Sequence, residues 1–163
     1  MFYSDQPIVA FQKIAWYQDP LTHLTGLGLA LLVFLATVMV WPLGARLKRV
    51  RHKATPLTRL ERWGRYLAGG LILINLLIVG LVTIVLLGDE SALYFGYPVG
   101  LTIAGILALV SSVGAFAVLG CSAGAWWQRA WGLAGRLHYT LVAVAALYFV
   151  WYLNEVNLLV LRF

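Results

Sequence analysis

The chain has 163 residues, of which 62% are hydrophobic and 11% charged, and its mean hydropathy is +0.87. A soluble domain is roughly half apolar and about a quarter charged, so this chain folded in water would expose wide apolar patches, and a bilayer suits it better. The formal charge of +6 would suit nucleic acid, but its distribution argues otherwise, because eight of the twelve Lys and Arg residues lie between Arg46 and Arg65, on one inter-helix connection. A single cysteine, Cys121, excludes an intrachain disulfide and a cysteine-based metal cluster.

In chain order, residues 1–20 read as an extracytoplasmic juxtamembrane segment. Asp5, Lys13 and Asp19 interrupt it in a way unlike a signal peptide. Around Lys13, the residues Phe11, Ile14, Ala15, Trp16 and Tyr17 form an apolar and aromatic patch suited to a membrane surface. Roughly 20 helical residues cross the hydrocarbon. Leu21–Leu43 is the first such run, uncharged, with His23 near its start. A basic connection over residues 44–65 follows, with Arg46, Lys48, Arg49, Arg51, Lys53, Arg59, Arg62 and Arg65 set against Glu61. Inside it, Thr55 precedes Pro56, and Thr58 with Glu61 has the spacing of a capping box. Tyr66–Leu87 is the second run, with Asn75 as its one strongly polar side chain. Ser91–Gln128 is uncharged but too long for one straight crossing, which places the membrane part at Val99–Gly120 with an extension beyond. Tyr139–Leu153 is the fourth run, ending against Asn154, Glu155 and Asn157.

The expected fold is therefore all-α: a polytopic bundle of four transmembrane helices over residues 21–163. Cytoplasmic connections carry the excess of Lys and Arg. The second connection holds Asp89 and Glu90, and the third holds Arg129 and Arg136. This bias predicts a cytoplasmic basic connection, both termini outside (N-out/C-out), and a multi-pass protein of a bacterial cytoplasmic membrane. Trp41 and Trp63 flank the basic connection, while Trp126, Trp127 and Trp131 gather at the other cytoplasmic one, as interfacial tryptophans do. Anionic headgroups are the expected partner of the eight basic residues.

Small residues recur every four positions along the third run: Gly96, Gly100, Ala104, Ala108, Ser112, and then Gly120 and Gly124. Such a stripe lets two helices approach closely, either inside the bundle or across a homodimer seam. Gly120-Cys121-Ser122-Ala123-Gly124 matches a G-x-S-x-G nucleophile elbow, but an apolar helical run precedes it, and His138 and Glu155 follow in the wrong order for a triad. Helix packing accounts for these glycines. His138 reads as a hydrogen-bonding group near a helix start, and Asn75 as an interhelical hydrogen bonder. His23, His52 and His138 do not converge at one depth, and the pattern implies no metal or cofactor.

The stretch WGLAGRLHYTLVAVAALYFVWYLNEVNLL, Trp131–Leu159, resembles the closing membrane segment that follows the catalytic domain in bacterial beta-lactamase-related serine hydrolases. Phe11–Pro42, with Ile14-Ala15-Trp16-Tyr17 and an apolar run ending Val40-Trp41-Pro42, resembles the junction after that domain. That family's nucleophile lies in Ser-x-x-Lys. Ser4, Ser91, Ser111, Ser112 and Ser122 all lack a lysine three residues on, so the family's catalytic residues have no positions here. The resemblance implies a non-catalytic membrane anchor or modulatory module, joined to an extracytoplasmic hydrolase or acting on it in trans. A free-standing assembly or accessory subunit, and a small transporter or haem or quinone protein, are the competing expectations.

Overall fold

The computed structural model describes residues 19–50, 58–88 and 98–159, except the side chains of residues 45 and 47–50. The aromatic patch around Lys13, together with Arg51, His52, Lys53, Pro56 and Gly96, lies outside the described residues. The described chain folds into four helices: α1 Pro20–Val50, α2 Arg59–Leu87, α3 Val99–Trp127 and α4 Leu133–Glu155. Each is long and apolar enough to cross a membrane, and the protein is a multi-pass integral membrane protein with an all-α bundle. At about 1.5 Å per residue even α4, the shortest, spans about 34 Å, more than the roughly 30 Å of hydrocarbon.

Local chemistry sets the helix ends. Asp19 Oδ1 accepts the Leu21 N–H at 3.3 Å, ahead of which Pro20 takes the first helical position, where its missing N–H loses nothing. At the start of α2 the capping box is complete: the Glu61 N–H donates to Thr58 Oγ1 at 3.2 Å, and the Thr58 N–H donates to Glu61 Oε2 at 2.8 Å. Past the end of α4, Asn157 is left-handed at φ 56°. The Leu158 N–H returns to the Leu153 carbonyl at 2.9 Å and the Asn157 N–H to the Asn154 carbonyl at 3.0 Å. This is a Schellman stop, and its two leucines, 153 and 158, are both buried.

Helix ends differ from the hydropathy boundaries. The basic connection of residues 44–65 is helical on both sides, since α1 continues through Pro42 to Val50 and α2 already begins at Arg59. Lysine and arginine are good helix formers, so charge marks where hydrocarbon ends, not where the helix does. α3 likewise runs unbroken past Gly120 to Trp127, and α4 starts at Leu133, ahead of Tyr139.

The helices pack in the spatial order α1–α4–α3–α2, neighbours antiparallel, while α1 and α2 barely touch. The α2–α3 pairing shows in three close approaches, where Gly100, Gly114 and Gly124 lie against Val85, Leu71 and Leu60. A Cβ at Gly100 would stand 2.8 Å from Val85 Cγ2, so the helices meet there only because the side chain is absent. On α3 the buried line is Ala104, Gly105, Ala108, Ser111, Ala115, Val118, Ser122 and Ala125. Apart from Gly105, its steps alternate between four and three, the spacing of a seam between two helices.

The four-residue stripe behaves differently. Ala104 and Ala108 are buried, whereas Gly100, Ser112 and Gly124 are half-buried. Gly120 is exposed, with nothing within 4 Å of where a Cβ would sit. Each step of four overshoots a 3.6-residue turn by about 40°, so a strict stripe rotates off the seam within a few turns.

Candidate functional site

Polar side chains gather at three levels of the bundle. The first is the end where α1 finishes, α2 begins and α3 turns into α4. Glu61 uses both carboxylate oxygens there: Oε2 closes the capping box, and Oε1 accepts the Trp131 N–H at 2.9 Å. Trp131 has φ 54°, an uncommon region for a bulky residue, and this bond helps to hold it there. The Trp131 ring lies on Tyr139, centroids 4.8 Å apart, and the Tyr139 hydroxyl donates to the Gly64 carbonyl at 3.0 Å. A Cβ at Gly64 would fall 3.2 Å from the indole, so the glycine makes room for the turn. Together these residues clasp the start of α2 to the α3–α4 turn.

Ser122 belongs to the same end. Thr140 Oγ1 donates its one hydrogen to the Arg136 carbonyl at 2.9 Å and accepts the Trp126 Nε1–H at 3.0 Å. Its contact with Ser122 Oγ at 3.1 Å therefore has Ser122 as the donor. Ser122 is buried within uninterrupted α3, its hydroxyl directed at α4 rather than at a base, and the strand-to-helix turn of a nucleophile elbow is not its setting. The Arg136 guanidinium lies over the Trp126 ring, 4.9 Å from its centre. By the same logic, Thr37 donates to the Val33 carbonyl at 2.7 Å, so His138 carries its proton on Nε2 and donates to Thr37 Oγ1 at 3.2 Å. His138 thus ties α4 to α1, with Trp41 edge-on to its ring.

Midway along the bundle, fully buried Asn75 of α2 accepts a hydrogen bond through Oδ1 from Ser111 of α3. Its Nδ2 is buried with no partner among the described residues.

The third level is the opposite end, where α1 starts and α4 finishes. His23 stacks on Trp151 at 5.1 Å, and Tyr152 and Tyr148 stand beside it; the Tyr148 hydroxyl approaches the His23 carbonyl at 3.4 Å. An open cleft of about 480 Å³ lies here, lined by Pro20, His23, Leu24, Tyr152, Glu155 and Val156. Tyr148, Trp151 and Tyr152 share one face of α4 by their spacing of three and four, a signal visible in the sequence once the helix is assigned.

Of the basic residues, Arg46, Arg59 and Arg62 are exposed and Arg65 is half-buried, all at the first end; Lys48 and Arg49 lie on the last turns of α1. Among the described residues no three His, Cys, Asp or Glu side chains group as a metal site. His23 and His138 sit toward opposite ends of the α1–α4 pair, each engaged with its own helix partner. No protein-family model, curated protein or solved structure matches this chain.

Proposed function

We propose that this bundle is a non-catalytic membrane anchor or modulatory module for an extracytoplasmic serine hydrolase related to the beta-lactamases, set in a bacterial cytoplasmic membrane. The observation that carries the reading is the charge polarity of the bundle. The described arginines, Arg46, Arg59, Arg62, Arg65, Arg129 and Arg136, all belong to one end, whereas Asp19 and Glu155 belong to the other. Positive residues stay cytoplasmic, so the start of α1 and the end of α4 face outward, side by side, where a secreted domain is held. On the inner side, the exposed Arg46, Arg59 and Arg62 attract anionic headgroups. Within the bundle, Ser122, His138, Asn75 and Ser111 spend their hydrogen bonds on joining helices, which supports a scaffold role.

The test is photo-cross-linking in native membranes from probes placed at positions 19 and 155, followed by a covalent serine-hydrolase label. A cross-linked species bearing that label is expected. Capture of no labelled hydrolase from either position would overturn the reading. In intact cells, a cysteine at position 155 should react with an impermeant maleimide and one at position 62 should not; the reverse pattern would invert the orientation. The isolated chain in detergent should not hydrolyse beta-lactams or small esters. Turnover abolished by Ser122→Ala would replace the anchor with an enzyme.

A further inference from the structure

We infer that the cleft between the start of α1 and the end of α4 binds the zwitterionic headgroup of an aminophospholipid, with a primary ammonium on one side and a phosphate on the other. Its volume, about 480 Å³, falls within the range of small-molecule pockets. Two kinds of group line it. The Glu155 carboxylate and the Tyr152 ring favour a cation, and the C-terminal end of α4 adds partial negative charge. His23 supplies the opposite character. Its Nδ1 is buried with no partner among the described residues, and with the ring proton on Nε2 the imidazole offers a donor to an anionic oxygen in the cleft it lines. Asp19, the other acid at this end among the described residues, is occupied by the Leu21 N–H and the Thr22 hydroxyl. No described Lys or Arg stands at this end to neutralise Glu155.

A lipid fits better than a soluble amine because the cleft continues onto an apolar track. Leu24 lines it, and the exposed Gly28, Leu32 and Leu35 continue that side of α1 deeper into the membrane, where an acyl chain would run. An ethanolamine ammonium offers three N–H donors to the carboxylate, whereas a choline offers none. The assignment is independent of the anchor reading, since a chain that holds no hydrolase would still bind this headgroup.

The experiment is native mass spectrometry of the full chain in detergent, titrated with ethanolamine, choline and glycerol phospholipids of identical acyl chains. The ethanolamine lipid is expected to bind about tenfold more tightly than the choline lipid, the loss of one charge-assisted bond being worth about that factor. Glu155→Gln, an exposed position, should remove the preference and leave binding of the glycerol lipid unchanged. Tyr152→Leu should weaken the ethanolamine lipid, and Arg62→Gln should weaken only the glycerol lipid. Circular dichroism verifies that each variant is folded. Equal binding of ethanolamine and choline lipids, or wild-type affinity in both Glu155→Gln and Tyr152→Leu, would overturn the proposal. Displacement of the lipid by equimolar phosphoethanolamine would overturn the lipid as the source of the headgroup.

Discussion

Replacing Asn75 with leucine should harm this bundle less than replacing its partner Ser111 with alanine. Asn75 is completely buried midway along α2, accepts a hydrogen bond from Ser111 and has an amide nitrogen without a partner among the described residues. Ser111→Ala removes the one donor and leaves the whole carboxamide unpaired in a dry environment. Interhelical hydrogen bonds within membranes average about 0.6 and reach about 1.7 kcal/mol. An unsatisfied buried polar group costs about 1–3 kcal/mol. A loss of about 1–2 kcal/mol follows for Ser111→Ala. Asn75→Leu removes the unpaired nitrogen together with the acceptor and keeps the branched shape and the number of heavy atoms. The Ser111 hydroxyl then turns to the carbonyl four residues back, as Ser112 already does to Ala108 at 2.8 Å. The net change is within about 1 kcal/mol of zero. Unfolding in mixed micelles, followed by circular dichroism for both single variants and the double variant, measures these values. A larger loss for Asn75→Leu than for Ser111→Ala would show that the amide nitrogen is bonded and that the pair is not an isolated interhelical contact.

Ala104→Leu or Ala108→Leu, both at fully buried positions, should destabilise the bundle by about 1–3 kcal/mol in the same assay, while exposed Gly120→Leu stays within about 0.5 kcal/mol. Glu61→Ala removes half of a capping box and the bond to Trp131, so a loss of about 1–2 kcal/mol is expected, with faster amide exchange at Trp131. Asn157→Gly should be tolerated, and Asn157→Val should cost about 1–2 kcal/mol of helical stability at the end of α4, because φ is positive there. Hydrogen exchange should be faster along the membrane part of α1 than along α3, and His138→Leu should widen the difference, since α1 buries only Ala30, Phe34 and Thr37 and leans almost wholly on α4.

The four crossings were legible because hydropathy reports which solvent each stretch prefers, and that preference is local. The capping box at Thr58 and Glu61 was legible for the same reason: both bonds close within three residues. The end of α1 was not, because the arginines after Gly44 leave the hydrocarbon without leaving the helix. Nor was the second bond of Glu61, whose partner Trp131 lies 70 residues away and depends on how α2 meets the α3–α4 turn. The small-residue stripe meets the seam at Ala104 and Ala108 and, as a strict period of four must, has rotated off it by Gly120, whereas alternating steps of three and four run through Ser111, Ala115 and Val118. The aromatic cleft stayed hidden because His23 and Tyr148 are 125 residues apart, joined only by antiparallel α1 and α4.

Lipid tails pack against leucine as well as another leucine does, so apolar contact alone does not say which helix lies beside which. Here a few polar side chains carry that information. Thr37 and His138 join α1 to α4, Ser122 and Trp126 join α3 to Thr140 of α4, and Ser111 joins α3 to Asn75 of α2. Tyr139 reaches from α4 across to the Gly64 carbonyl of α2. The pairs without such a bond among the described residues, α1–α2 and α1–α3, are those that barely touch or do not touch. The order α1–α4–α3–α2 is thus written in hydrogen bonds, one of them midway along the bundle and the others toward its basic end, each giving a side chain a partner that a wrong neighbour would not supply. A bundle specified in this way has Thr37, Ser111, Ser122, His138 and Thr140 committed to its own assembly. The serine of the G-x-S-x-G match is one of them: it lies inside α3 with its hydroxyl on Thr140 of α4.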